Sequence, residues 1–176
     1  MRYGLALGSN LGDRLANLQR AVQHLLEQDI RLLAVAPIYE TEPMDCPDDS
    51  LSFYNTVIEI ESETEPLTLL AKLRGIEATL GRPHAHERNA PRTVDLDILY
   101  ADALFMQHDD LTLPHPRMTQ RRFVLEPLAE IRPELVLPSQ QEKVASLLAK
   151  LPQGDPPLRL VVRDWLPEFA KSLGTR

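Results

Sequence analysis

An α+β fold, a mostly antiparallel sheet with helices packed on it, is predicted by three observations on the sequence. Some apolar runs alternate with period two and others recur at helical spacing, and the runs follow one another as strand, helix, strand, strand, helix, strand. That order is the ferredoxin-like α/β sandwich, with its helices on one sheet face. A doubly wound parallel sheet would need a helix between the second and third strands, where only loop is found. With 176 residues, 43% of them hydrophobic, the chain can bury a core as one domain, 1–176. A core of about 1–138 would carry a C-terminal extension of about 139–176.

Each element has its own signal. YGLAL at 3–7 is a short apolar strand, and GSNLGD is a turn with a helix cap at Ser9 or Asn10. Leu15, Leu18, Val22, Leu25 and Leu26 recur at helical spacing between Arg14 and Gln28. IRLLAVAPIYET reads as extended, with Pro37 marking an edge or a bulge. The next stretch, 42–52, holds two prolines and three aspartates and is a long loop, of a length often tied to function. FYNTVIEIE at 53–61 alternates and is a strand. Pro66 opens a helix running to about Leu80, which Gly81 ends. VDLDILY at 94–100 is another strand, and a helix falls around 118–130. The remainder is a proline-punctuated tail with one helix near 141–150.

Composition narrows the function. A net charge of −7 argues against nucleic-acid binding, and the apolar runs are too short to span a membrane. MRYGLALGSN lacks the features of a secretory leader, and the lone Cys46 cannot form an internal disulfide, so a cytoplasmic setting is expected. The cations, however, are concentrated. Arg82, His84, His86, Arg88 and Arg92 fall in one segment, and Arg117, Arg121 and Arg122 in another. Two solvated loops would look the same; so would a site for a compact polyanion such as a polyphosphate.

The strongest chemical signal is Asp95-Leu96-Asp97. Residues two apart on a strand share a face, so the carboxylates project together while Val94, Leu96 and Ile98 point into the core. Paired carboxylates repel unless a cation lies between them, and hard oxygen ligands suit Mg²⁺ with substrate phosphates. A solvent-facing strand with two acidic outer residues is the alternative for an isolated D-x-D. Here Arg92 ends a cationic loop three residues upstream, and Arg82, Arg88 and Arg92 offer guanidinium forks to phosphate oxygens. His115 and Arg121 lie in or near a second proline-bounded segment, LPHPR. Neither a P-loop nor a dinucleotide fingerprint occurs. Glu77 reads as part of a solvated helix face, and Phe53 and Phe123 as core. Asn55 shares a strand face with Phe53 and carries an amide that both donates and accepts, suited to a flat heterocycle.

GSN at 8–10, Y-x-T at 39–41, Asn55, IE at 76–77, GR at 81–82, APRTVDLDIL at 90–99, LTLPHPRM at 111–118 and R-x-F-V-L-x-P-L at 121–128 together resemble the 6-hydroxymethyl-7,8-dihydropterin pyrophosphokinases of folate biosynthesis, over about residues 3–138. The resemblance implies transfer of pyrophosphate from ATP to the pterin hydroxymethyl group, giving AMP. It implies two Mg²⁺ ions on Asp95 and Asp97, and phosphate contacts from Arg82, Arg92, His115 and Arg121. Glu77, Ile98 and Thr112 would lie near the nucleotide. Thr41, Pro43, Met44 and Asn55 would line a reduced pterin, with Phe53 and Phe123 stacking on its faces. Partners would be these small molecules alone, with no nucleic acid or membrane, and the chain would be a monomer. His84, Asn89, Glu42 and Asp110 depart from the usual pattern, and His84 adds positive charge only when protonated. A relative that binds a pterin or nucleotide without transfer is the alternative reading.

Overall fold

The computed structural model describes residues 1–28, 30–42, 52–81, 92–152 and 158–168. Its elements are β1 (Arg2–Ser9), α1 (Arg14–Leu26), β2 (Arg31–Val35), β3 (Ile38–Thr41), β4 (Phe53–Glu61), α2 (Pro66–Thr79) and β5 (Asp95–Ala101). There follow the short strands β6 (Met106–Gln107) and β7 (Thr112–Leu113), a 3-10 turn at Met118–Gln120, α3 (Arg122–Ile131), α4 (Val144–Ala149) and β8 (Arg159–Val162).

The main sheet runs β5-β1-β4-β3-β8, all antiparallel, with β2 pairing the other end of β4. Taking β2 and β3 as one interrupted strand, this is the βαββαβ order predicted from the sequence. Alternation along β1 sorts the core into two layers. Leu5 and Leu7 face α1 and α2, packing with Leu18, Val22, Leu69 and Leu73. On the opposite face Val57, Leu99 and Tyr100 pack with Val124, Leu125 and Leu128 of α3 and Val144 of α4. Helices therefore cover both faces rather than one. α3 has its own apolar stripe and can be buried only against the surface that α1 and α2 leave open.

Three local expectations are corrected and two are met. The cap of α1 is Asp13, whose carboxylate accepts from Ala16 N at 3.0 Å, because Ser9 still belongs to β1. Pro37 separates β2 from β3 and marks the bulge: four residue steps from Val35 to Tyr39 span three of β4, from Ile58 to Asn55, while β3 itself is paired on both sides. The 118–130 helix is a 3-10 turn followed by α3, broken at Arg121 with its extended backbone (φ −113°, ψ 111°). The tail is not loosely punctuated chain: β8 extends the sheet, and Trp165 (3% exposed) donates from Nε1 to Ala36 O at 3.0 Å. Gly81 ends α2 as expected, with φ +94°. Among the described residues no helix is long and apolar enough to cross a membrane.

Candidate active site

The site is laid out by register across three strands. Gly8 of β1 stands opposite Asn55 of β4 on one side and Asp95 of β5 on the other, and Ala6 stands between Val57 and Asp97. Leu96 and Ile98 are buried toward α1 and α2, so Asp95 and Asp97 share the face that carries α3. A glycine inside a strand weakens it, and often marks close approach of a ligand. A Cβ at Gly8 would lie 3.0 Å from Asn55 Oδ1, 3.8 Å from Phe53 Cδ1 and 3.9 Å from Asp95 Cβ. The missing methyl leaves flat floor between an amide and a carboxylate. Asn55 is oriented by donating from Nδ2 to Thr41 Oγ1 at 2.7 Å. Phe53 is half-buried beside this floor rather than core, and Phe123, on the first turn of α3, is half-buried with one side packed against the α3-side core.

Three contacts set where the carboxylates stand. Arg92 Nη1 donates to Asp95 Oδ2 at 2.8 Å, both side chains being mostly buried. Asn10 clamps the Arg92 backbone, accepting from Arg92 N at 2.8 Å on its side chain and donating its own N–H to Arg92 O at 3.2 Å. Glu77, read from the sequence as a solvated face, is instead 8% exposed and accepts from Leu96 N at 2.8 Å. β5 lies at the edge of the main sheet, so its outward N–H groups need partners other than a strand. Glu77 supplies one between the two aspartates.

A cleft of about 670 Å³ opens along that edge, bounded by α2 and the 109–116 segment, and Asp95, Asp97, Glu77, Ile98, Thr112 and His115 all line it. His115 is tied down through its N–H to Leu99 O at 2.7 Å, and its Nδ1 accepts from Arg117 N at 3.2 Å, which leaves Nε2 as the ring's donor. Burial, with Arg121 and Arg117 nearby, pushes the His115 pKa down to about 4. His115 therefore offers a neutral N–H rather than a positive charge. Arg121 is lowered too, first by burial and then by Arg117, while Asp97 and Asp95 act the other way. Its guanidinium lies 5.4 Å from the centre of the Phe123 ring. A cation, a ring and two carboxylates thus converge from α3 and β5.

Pro43, Met44, Arg82 and Arg88, with His84 and Asn89, lie outside the described residues. Three features escaped the sequence reading. The Asn10 clamp joins positions 82 apart, and nothing local announces it. Gly8 could have been found, since a glycine ending an apolar strand invites the question of what needs the space. Arg74 and Asp110, paired at 3.7 Å, line the cleft mouth from two separate segments.

The sequence model of the family described as 7,8-dihydro-6-hydroxymethylpterin-pyrophosphokinase (HPPK) matches residues 4–133. The chain is 41% identical over 151 residues to the 2-amino-4-hydroxy-6-hydroxymethyldihydropteridine pyrophosphokinase of Methylorubrum extorquens, covering 85% of this chain and 93% of the relative. It is 41% identical over 150 residues to the folic acid synthesis protein fol1 of Schizosaccharomyces pombe, covering 84% of this chain but only 20% of that relative's length. Among solved structures it resembles the HPPK-DHPS of Plasmodium falciparum, with a TM-score of 0.66 and 16% identity over 85% of this chain and 44% of that one.

Proposed function

We propose, from the premise that the chain belongs to the 7,8-dihydro-6-hydroxymethylpterin-pyrophosphokinase family, that it transfers pyrophosphate from ATP to the hydroxymethyl group of 6-hydroxymethyl-7,8-dihydropterin. The hydroxyl oxygen attacks the β-phosphorus and gives up its proton to solvent, the bond from that phosphorus to the α–β bridging oxygen breaks, and AMP leaves. The observation that carries this reading is the adjacent register of Asn55, Gly8 and Asp95. It sets a flat, amide-edged floor directly beside a carboxylate pair, so that an acceptor on the floor has its hydroxyl next to the phosphates.

The donor set fits Mg²⁺. Among the described residues no three of His, Cys, Asp or Glu gather to cage a metal. Two carboxylates on one face are what Mg²⁺ takes when phosphates and water complete its shell. Asp95 and Asp97 would hold two ions, and the bound metal supplies neutralisation of phosphate charge. The rest falls to the chain. Arg92, now on Asp95, would turn its fork to phosphate, joined by Arg121 and by Arg82 and Arg88. His115 would donate a neutral hydrogen bond. Glu77 holds the β5 backbone so that the two aspartates stay in register, with Ile98 and Thr112 along the nucleotide. Thr41, Asn55, Pro43 and Met44 would line the pterin, with Phe53 and Phe123 on its faces. Positioning and charge neutralisation of this kind provide most of the catalysis in phosphoryl transfer. We also propose that the chain acts as a single-domain monomer in the cytoplasm.

Incubating the protein with MgATP and the hydroxymethyldihydropterin should yield AMP; ADP would indicate a simple kinase, and no turnover a binding protein. Asp97→Ala should lower kcat by at least about a hundredfold with the thermal midpoint nearly unchanged, as expected for loss of a group acting on developing charge. Retained activity in that variant would sink the metal assignment.

A further inference from the structure

Glu40 lies on the back of the strand that carries Thr41, away from the floor described above, and it is the centre of a small ion-pair node. Its side chain is 13% exposed. Oε1 accepts from Arg14 Nη1 at 3.1 Å and from Ser52 Oγ at 2.6 Å, and Oε2 accepts from Arg159 Nη2. Arg14, the first residue of α1, also donates to Ser52 O and Ser52 Oγ, both at 2.7 Å, and its guanidinium stacks 3.8 Å above the Tyr54 ring. The β3–β4 ladder consists of three residue pairs, Tyr39 with Asn55, Glu40 with Tyr54 and Thr41 with Phe53. Few ladder bonds therefore hold Thr41 and Phe53 in place at this end. The node fixes the residues immediately before each of them, Glu40 and Ser52, to the rigid first turn of α1.

We propose that Glu40, held by Arg14, is a positioning residue for the pterin, acting through Thr41 and Phe53; this rests on the reading of those residues as the pterin wall. The two arginines on Glu40 are unequal. Arg159 is 73% exposed, so water and salt screen its pairing and it contributes little. Arg14 is 22% exposed, is stacked on an aromatic face and spans Glu40 and Ser52 together. The node therefore works through α1, and the C-terminal strand is peripheral to it.

Steady-state kinetics with each substrate varied separates positioning from general loosening. Glu40→Gln keeps the shape and one acceptor oxygen but turns the other into an NH2 donor and loses the charge. It should raise the pterin KM about tenfold, with kcat and the ATP KM within about twofold, as expected for loss of a charge-assisted contact. Arg14→Gln should give the same split, and combining the two should add little, since both break the shared Arg14–Glu40 pair. Arg159→Gln should move no parameter beyond about twofold. Arg14→Lys, which keeps charge but loses the fork, carries the test if Glu40→Gln does not fold, with a smaller rise in pterin KM alone. An unchanged pterin KM, or equal rises in both KM values, overturns the proposal while leaving the proposed reaction standing. Absence of turnover by the wild-type protein overturns both.

Discussion

A carboxylate pair and a distant amide show how differently residues disclose their work. Asp95 and Asp97 were legible because strand alternation is local: once 94–100 is read as a strand, the carboxylates must share a face. Asn10 was not, because its task is to hold a backbone 82 residues away. Gly8 lies between these cases, and its missing methyl is open to direct test. An alanine there would bring a methyl to 3.0 Å from Asn55 Oδ1, tighter than ordinary contact, so the amide must shift by a few tenths of an ångström. Against that strain stands the smaller unfolded-state entropy of alanine, of about 0.4–1 kcal/mol. The two nearly cancel in stability but not at the floor. Gly8→Ala should therefore raise the pterin KM by at least about tenfold while the thermal midpoint moves by only a few degrees. An unchanged pterin KM would mean that nothing flat rests on Gly8.

At the scale of elements, the sequence yields what short-range pattern can carry. The four strands and two helices of the βαββαβ core were readable from periodicity, and Pro66 and Gly81 marked the ends of α2 correctly. β8 was missed, because LRLVV sits among prolines and its partner β3 is more than a hundred residues away. What fastens this tail is decided by magnitude. The Arg159–Glu40 pair, screened through its exposed arginine, is worth about 0–1 kcal/mol, whereas burying an aromatic such as Trp165 is worth several times that. Trp165 also receives Gln19 Nε2 on its carbonyl at 2.6 Å, which ties the tail to α1. Trp165→Ala should therefore destabilise the fold by about 3–5 kcal/mol, and Trp165→Phe, which keeps most of the volume but loses the indole bond to Ala36 O, by about 1–2. Chemical denaturation followed by circular dichroism measures both. Equal, small losses would show that β8 is an appendage and not part of the core.

For the whole molecule, the buried titratable groups bound the pH range in which the fold is most stable. His115 has its pKa lowered to about 4 by burial and by Arg121 and Arg117, against an ordinary value of 6.5. Between those two values the unfolded chain binds a proton that the folded chain refuses, so stability falls as pH drops from about 6.5 toward 4. Tyr3 and Tyr39 are both raised to about 12, chiefly by burial, with Glu65 acting on the first and Glu130 on the second. There the unfolded chain releases protons first, and stability falls as pH rises from about 10 toward 12. A plateau from about 6.5 to 10 should result. The acid limb is the diagnostic one, because carboxylates ionise near 4 and contribute little slope between 5 and 6.5. His115→Asn keeps a neutral donor but cannot titrate, so its urea midpoint should stay level across that window while the wild type declines. The same substitution tests the site. If His115 acts as a neutral donor, the variant should retain much of its kcat at pH 7.5. A loss of a hundredfold or more there would mean that a ring charge is used after all, supplied when the polyphosphate arrives.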